Sequence, residues 1–226
     1  MKASVSVVVP VYNNAATLPE LCRRVRAALP GRSVEIILVD DGSTDGSRPV
    51  IEGLDVRSVW HERNRGQNSA ILSGLREATQ PLACVLDADL EDPPEAIPRL
   101  LEPIEGGLAR VVFASRDEAR SVGSRFFRWA IHRLFPSLPP HPCLFFAIDE
   151  AGRRALVEAS RPDDYLPAVI GALSLATLEV TVARGARPPV AGPGALGPMG
   201  RLHYGTTMLG ASVRLRWRRS TRAGQA

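Results

Sequence analysis

Apolar and polar positions alternate along the first 117 residues in two distinct rhythms. "SVSVVVPVYN" (4–13) opens with a β-branched run ending at Pro10, which predicts a buried strand rather than a helix. "AATLPELCRRVRAALP" (15–30) spaces Leu18, Leu21, Cys22, Val25, Ala28 and Leu29 as one apolar face of an amphipathic helix. "VEIILVDDGSTDGS" (34–47) predicts a second buried strand running into a polar turn, and "VRSVW" (56–60) a short third. "GQNSAILSGLREAT" (66–79) is a helix of small residues suited to close packing on a sheet, followed by strands in "LACVLDAD" (82–89) and "ARVVFASRD" (109–117).

Strands alternating with helices predict an α/β domain with a mostly parallel, helix-covered sheet. Right-handed crossovers then bring the carboxyl ends of the strands to one edge, where ligands bind in such folds. The polar residues collect there: Pro10, Tyr12 and Asn13 after the first strand, Asp40 and Asp41 after the second, Asp87 and Asp89 after the fourth.

Beyond residue 120 the pattern loosens. "SRFFRWAIHRLF" (124–135) reads either as a helix packed on the core or as one lying in a membrane interface with its arginines at the head groups. "YLPAVIGALSLATL" (165–178) has no charge, but its 14 residues fall short of the roughly 20 a spanning helix needs, so no transmembrane segment is predicted. Residues 184–200 are dense in Gly and Pro and predict a loop.

Composition refines this picture. With 226 residues, 45% hydrophobic and 23% charged, the chain can form one sizeable core without disulfides or a structural metal. Three dispersed cysteines (Cys22, Cys84, Cys143) without a CxxC pair argue against a disulfide framework and against a zinc site. Met1 leads straight into a core-like run, so no secretory signal is expected, and the cytoplasm is the expected compartment. Residues 181–226 hold eight arginines and no acid, leaving residues 1–180 with 20 basic and 24 acidic side chains. Such a tail is either solubilising or suited to an anionic partner.

The candidate chemistry lies in "VLDADLEDPPE" (85–95). On an extended segment Asp87, Asp89 and Glu91 would project to one side and could converge on a point. Hard cations such as Mg²⁺ are held by one or two carboxylates with substrate phosphates completing the shell. A solvated turn before a helix is the alternative, with Pro93, Pro94 and Glu95 in its first turn. No phosphate-binding P-loop, GxGxxG or GxSxG follows any strand, and His61, His132, His141 and His203 are scattered, read as surface or packing residues.

Four motifs in order, "VVVPVYNNAATLPEL", "IILVDDGSTDGS", "RNRGQNSAILSGL" and "VLDADLEDPPEAIPRLL", resemble the family 2 inverting glycosyltransferases of GT-A fold. The likeness is greatest to the polyprenyl-phosphate branch, with its dolichyl-phosphate mannosyltransferases and bactoprenol glucosyltransferases. The resemblance implies a single Rossmann-like GT-A domain over residues 1–183, with a nucleotide-binding half (1–117) and an acceptor half (118–183). Residues 184–226 would be a Gly/Pro-rich loop and basic tail. It further implies that Pro10, Tyr12, Asp40, Asp41, Asn64, Gly66 and Asp87 line the nucleotide-sugar pocket, and that Asp87, Asp89 and Glu91 serve a Mg²⁺ or Mn²⁺ ion and the donor diphosphate. Asp87, Asp89, Arg184 and Arg187 would be the catalytic set, and Arg184, Arg187, Arg201 and His203 would meet the acceptor phosphate. Four positions depart from the family: Glu91 stands for the usual Gln, Asn14 where Glu is common, Phe146 where Arg is common, and His203 where Lys is common.

The implied reaction moves a sugar from a UDP- or GDP-sugar to polyprenyl phosphate, with peripheral contact to anionic membrane and no nucleic acid partner. A soluble acceptor and a non-catalytic nucleotide-sugar module are the alternatives. A hydroxyl acceptor would need a base, for which Asp149, Asp163 and Asp164 are the candidates; Asp149 reads first as a structural residue before a helix.

Overall fold

A computed structural model of the chain describes residues 2–116, 133, 135–139, 142–162 and 164–183. The predicted helix over 124–135 falls mostly outside these residues, and the Gly/Pro-rich loop and the tail beyond residue 183 fall wholly outside them.

Among the described residues seven strands form one sheet: β1 (Val5–Val11), β2 (Val34–Asp40), β3 (Arg57–Trp60), β4 (Leu82–Val85), β5 (Val111–Arg116), β6 (Phe146–Asp149) and β7 (Thr177–Val182). Their order is β3-β2-β1-β4-β6-β5-β7, parallel throughout except for β6, which runs antiparallel to β4 and β5. The predicted mixed α/β, mostly parallel sheet is therefore what the chain forms. The helices are α1 (Leu18–Ala28), α2 (Ser47–Glu52), α3 (Gln67–Glu77), α4 (Ile97–Glu105), α5 (Glu150–Ala159) and α6 (Leu166–Ala172).

The strand pleat sends alternate side chains to opposite faces. Val5, Val7, Val9 and Val11 join Leu18, Leu21 and Val25 of α1 and Leu100, Leu101 and Ile104 of α4 in one buried cluster. Val8, Ile37, Val39 and Val85 point the other way, into a second cluster with Ile71, Leu72 and Leu75 of α3, Leu156 of α5 and Val169 and Ile170 of α6. Both faces of the central strands are thus covered, which explains why those runs are continuously apolar. At Gly74 a Cβ would fall 2.4 Å from Val8 Cγ1, so α3 lies close on the sheet because a glycine faces it.

One difference from expectation concerns length: the strand read in "LACVLDAD" stops at Val85. The uncharged run 165–178 divides into the buried α6 and the start of β7. No disulfide joins the three cysteines; burial pushes the Cys22 thiol up to about 11 and the wholly buried Cys84 thiol higher still.

Candidate active site

The parallel strands put their carboxyl ends on one edge, and the sheet order reverses direction between β1 and β4. A crevice opens at such a switch point, and Pro10 helps to open it here. Val8 O accepts from Leu86 N on the β4 side, while Val11 O accepts from Asp41 N on the β2 side. Strand alternation therefore turns Pro10 toward β4, past Val8–Val85, the last pair of the β1–β4 ladder. Lacking an N–H, Pro10 cannot extend that ladder.

The loops after β1 and β2 are tied into one wall. Asn13, at φ 56°, donates its backbone N–H to Ser43 Oγ (3.0 Å) and accepts from Thr44 N on Oδ1 (2.8 Å). Asn14 donates its backbone N–H to Ser47 Oγ and its side-chain amide to Tyr12 O, a role for the residue that stands where the family often has Glu. Ala15 N donates to Asp45 Oδ2, and Asp45 Oδ1 accepts from Ser47 N and Oγ. Burial raises the Asp45 pKa, but these hydrogen bonds outweigh it and hold the carboxyl below its usual range. Tyr12 is left with 43% of its surface exposed at the mouth, an aromatic face available to a flat ligand.

Asp40 and Asp41 are both buried. Asp40 Oδ1 accepts from Ser43 N (3.2 Å). Asp41 holds the turn before α3: Oδ1 accepts from Arg65 N (2.9 Å) and Oδ2 from Gly66 N (2.8 Å). Asn64 Oδ1 also accepts from Gly66 N (3.0 Å). The expected pocket residues Asp41, Asn64 and Gly66 are therefore one hydrogen-bonded unit, in which the Asp41 carboxylate shapes the turn. Gly42, at φ +73°, lies beneath that turn; a Cβ there would meet Arg63 C at 2.6 Å and Asn64 N at 2.7 Å.

The acidic segment is not extended. After Val85 the chain turns, with Leu90 at φ 65° and 5% exposed. The alternation expected for Asp87, Asp89 and Glu91 is lost because this turn intervenes. Among the described residues no three His, Cys, Asp or Glu side chains gather as a metal cage. Asp87 and Asp89 remain partly exposed at the edge, with Asp87 Oδ1 accepting from Gln67 Nε2 at the start of α3 (2.6 Å) and Asp89 Oδ1 from Glu91 N (3.0 Å). Buried Asp92 accepts from Asp87 N and braces the turn, and Glu95 pairs with Arg24 of α1. Thr17 adds a strut from the first loop: its buried hydroxyl donates to Ala88 O at 2.7 Å. Accessible hard carboxylates without a preformed cage fit a divalent cation that takes one or two carboxylates and completes its shell with phosphates.

The base candidates separate clearly. Asp149 pairs in register with Leu82, the first residue of β4, which puts it at the edge opposite Asp87. There it caps α5, accepting from Gly152 N at 2.6 Å, the structural role expected of it rather than that of a base. Phe146, at the family's Arg position, is wholly buried against Phe113 with ring centroids 5.8 Å apart. Asp164 accepts from Arg161 N in a loop that reaches the carboxyl edge, where Ser69 Oγ donates to Pro162 O. Asp163, Arg184, Arg187, Arg201 and His203 lie outside the described residues.

Sequence reading missed His61. Its Nδ1 is 2.6 Å from Asp41 Oδ1 and its Nε2 2.9 Å from Ser73 Oγ, with both His61 and Asp41 buried. An uninterrupted strand end placing a histidine one residue past Trp60, on an otherwise exposed loop, was the available signal.

Comparison with known proteins bears on the family and the fold. Residues 6–152 match Glycosyl transferase family 2. The chain is 37% identical over 197 residues to an undecaprenyl-phosphate 4-deoxy-4-formamido-L-arabinose transferase of Pseudomonas paraeruginosa, covering 81% of this chain and 58% of that protein. It is 34% identical over 191 residues to the protein of the same description in Klebsiella pneumoniae, covering 79% and 58%. The chain thus spans less than two thirds of the length of these relatives. The crystal structure of glucosyl-3-phosphoglycerate synthase from Mycobacterium tuberculosis with Mn²⁺, uridine diphosphate and phosphoglyceric acid superposes with a TM-score of 0.72 at 20% identity, over 95% of this chain and 78% of that one. By the family match across most of its length, and by its fold, the chain belongs to glycosyl transferase family 2.

Proposed function

We propose that this chain transfers a sugar from a nucleoside-diphosphate sugar to a polyprenyl phosphate with inversion, residues 1–183 forming its GT-A domain and residues 184–226 a loop and basic tail that supply positive groups to the acceptor. The observation that carries the reading is the extent of the likeness to the undecaprenyl-phosphate transferases. It covers 81% of the chain and so runs past the donor half, residues 1–117, into the acceptor half.

The donor's base and ribose would rest against Tyr12 and the wall built by Asp40 and the Asn64–Gly66 turn. Asp87 and Asp89 would hold a Mg²⁺ or Mn²⁺ ion with the diphosphate, and Glu91 sits one residue beyond Leu90, able to tune which ion is preferred. The bound ion would offset the charge growing on the departing diphosphate. The acceptor oxygen attacks the anomeric carbon from the face opposite the leaving group, which requires both partners to be held in line. A lipid phosphate is already anionic at neutral pH, so it needs positive groups to position it rather than a base, consistent with Asp149 being spent on a helix cap. Arg184, Arg187, Arg201 and His203 are the candidates.

Among the described residues no helix is long and apolar enough to cross a membrane. The eight tail arginines would give the enzyme a peripheral contact with anionic head groups. The test is transfer of radiolabelled sugar from a panel of nucleotide sugars to undecaprenyl phosphate with Mn²⁺ present. Label that extracts into organic solvent supports the reading, and label that stays in water-soluble product points to a soluble acceptor instead.

A further inference from the structure

We propose that His61 is a positioning residue of the donor pocket: through Asp41 it fixes the Asn64–Gly66 turn against which the nucleotide is held. The inference rests on the donor site proposed above and adds a residue that the motifs leave unassigned.

The hydrogen bonds place one imidazole proton. Asp41 already accepts from the Arg65 and Gly66 amides, so the short contact to His61 Nδ1 requires an N–H on that nitrogen. In the neutral ring Nε2 is then an acceptor, and the Ser73 hydroxyl supplies its proton across 2.9 Å. The ring is anchored at its backbone too, where His61 N donates to Asp40 O at 2.9 Å. Asp40, Asp41 and Ser73 are the groups that His61 meets through hydrogen bonds, and they belong to β2, the loop after it, and α3. His61 therefore links the strand end, the turn and the helix around one buried carboxylate.

That carboxylate has few alternatives. Asp41 is 3% exposed, so a lost partner cannot readily be replaced by water. Asp41 would then rotate toward a new donor, and the Arg65 and Gly66 amides would lose their anchor. His61 never reaches the ligand; its effect on binding passes through the turn.

Two polar substitutions separate the two ring nitrogens. His61→Asn keeps an N–H close to the Nδ1 position, facing Asp41. His61→Gln places its amide near the Nε2 position, facing Ser73, and leaves Asp41 short of one donor. The experiment is calorimetric titration of the full chain with UDP and with GDP in the presence of Mn²⁺. Loss of a hydrogen bond to a buried charge predicts about ten-fold weaker nucleotide binding for His61→Gln, with His61→Asn staying within about three-fold of the parent. Amide hydrogen exchange at Arg65 and Gly66 should rise in the Gln variant and not in the Asn variant. Equal affinities in the two variants, whether both native-like or both weak, overturn the proposal. If the unsubstituted chain binds neither nucleotide, the donor-site reading falls and this inference falls with it. Should the parent bind while the variants do not differ, only the inference falls.

Discussion

Gly42→Ala tests how tightly the two loops of the proposed donor pocket are fitted together. Two costs combine at this position. At φ +73° an alanine is held in the left-handed region, which costs about 1–2 kcal/mol. Its methyl would also lie 2.6–2.8 Å from Arg63 C, Asn64 N and Arg63 Cα. These are backbone atoms, so the clash cannot be relieved by turning a side chain, and overpacking of this kind adds about 1–3 kcal/mol. The sum is about 2–5 kcal/mol, a large part of a typical domain's stability. Gly46 supplies the internal control: its φ is +87°, but nothing lies within 4 Å of its Cβ position. Gly46→Ala should therefore show the backbone cost alone. Urea unfolding of both variants isolates the steric contribution as their difference, and nucleotide titration shows whether displacing residues 63–64 reaches the pocket. Gly42→Ala should be the less stable of the two and should bind nucleotide more weakly. Equal stability and equal nucleotide affinity in the two variants would refute the close approach of the loops.

Thr17→Val removes the buried donor to Ala88 O and leaves that carbonyl unpaired, at a cost of about 1–3 kcal/mol; it should also raise the metal concentration needed for half-maximal activity, read from a Mn²⁺ titration. Glu105 is held below its ordinary range first by the Arg32 guanidinium, which it meets through two 2.7 Å hydrogen bonds. Because its folded pKa is depressed, its stabilisation is present above the unfolded value of 4.5 and is lost as pH falls through the folded one. Urea midpoints measured between pH 7 and pH 3 should accordingly fall less steeply in Glu105→Gln than in the parent; parallel curves would show that this pair contributes nothing.

Residues 1–117 were readable because their periodicities are strong. Val5–Val11 and Val34–Asp40 are interior strands with side chains buried on both faces of the sheet and are largely apolar for that reason, while Leu18, Leu21, Cys22 and Val25 repeat at helical spacing. The six-residue α2 left no trace beyond a Ser in a Gly- and Asp-rich turn. β6 is four residues long, and its antiparallel insertion between β4 and β5 is a property of the assembled sheet rather than of its own residues. β7 alternates only weakly because much of it is half-exposed.

The site divides in the same way. Pro10, Tyr12, Asp40, Asp87 and Asp89 could be placed at the carboxyl edge from strand order alone. The turn at Leu90 was hidden because a leucine gives no sign of a positive φ, so three acids on a line were expected where a bend stands. The contact of His61 with Asp41 spans 20 positions and exists only once β2 and β3 are paired.

The most direct measurement of the central claim is the melting temperature of the chain with nucleoside diphosphates, with and without Mn²⁺, beside that of Asp89→Ala. A ligand at one hundred times its Kd adds about 2.7 kcal/mol of stability, a shift that is easily resolved. At least one nucleotide should raise the melting temperature of the unsubstituted chain, more strongly with Mn²⁺, and Asp89→Ala should fold normally and lose the metal-dependent part. No shift with any nucleotide, or an undiminished metal-dependent shift in Asp89→Ala, would contradict a donor diphosphate site at this edge of the sheet.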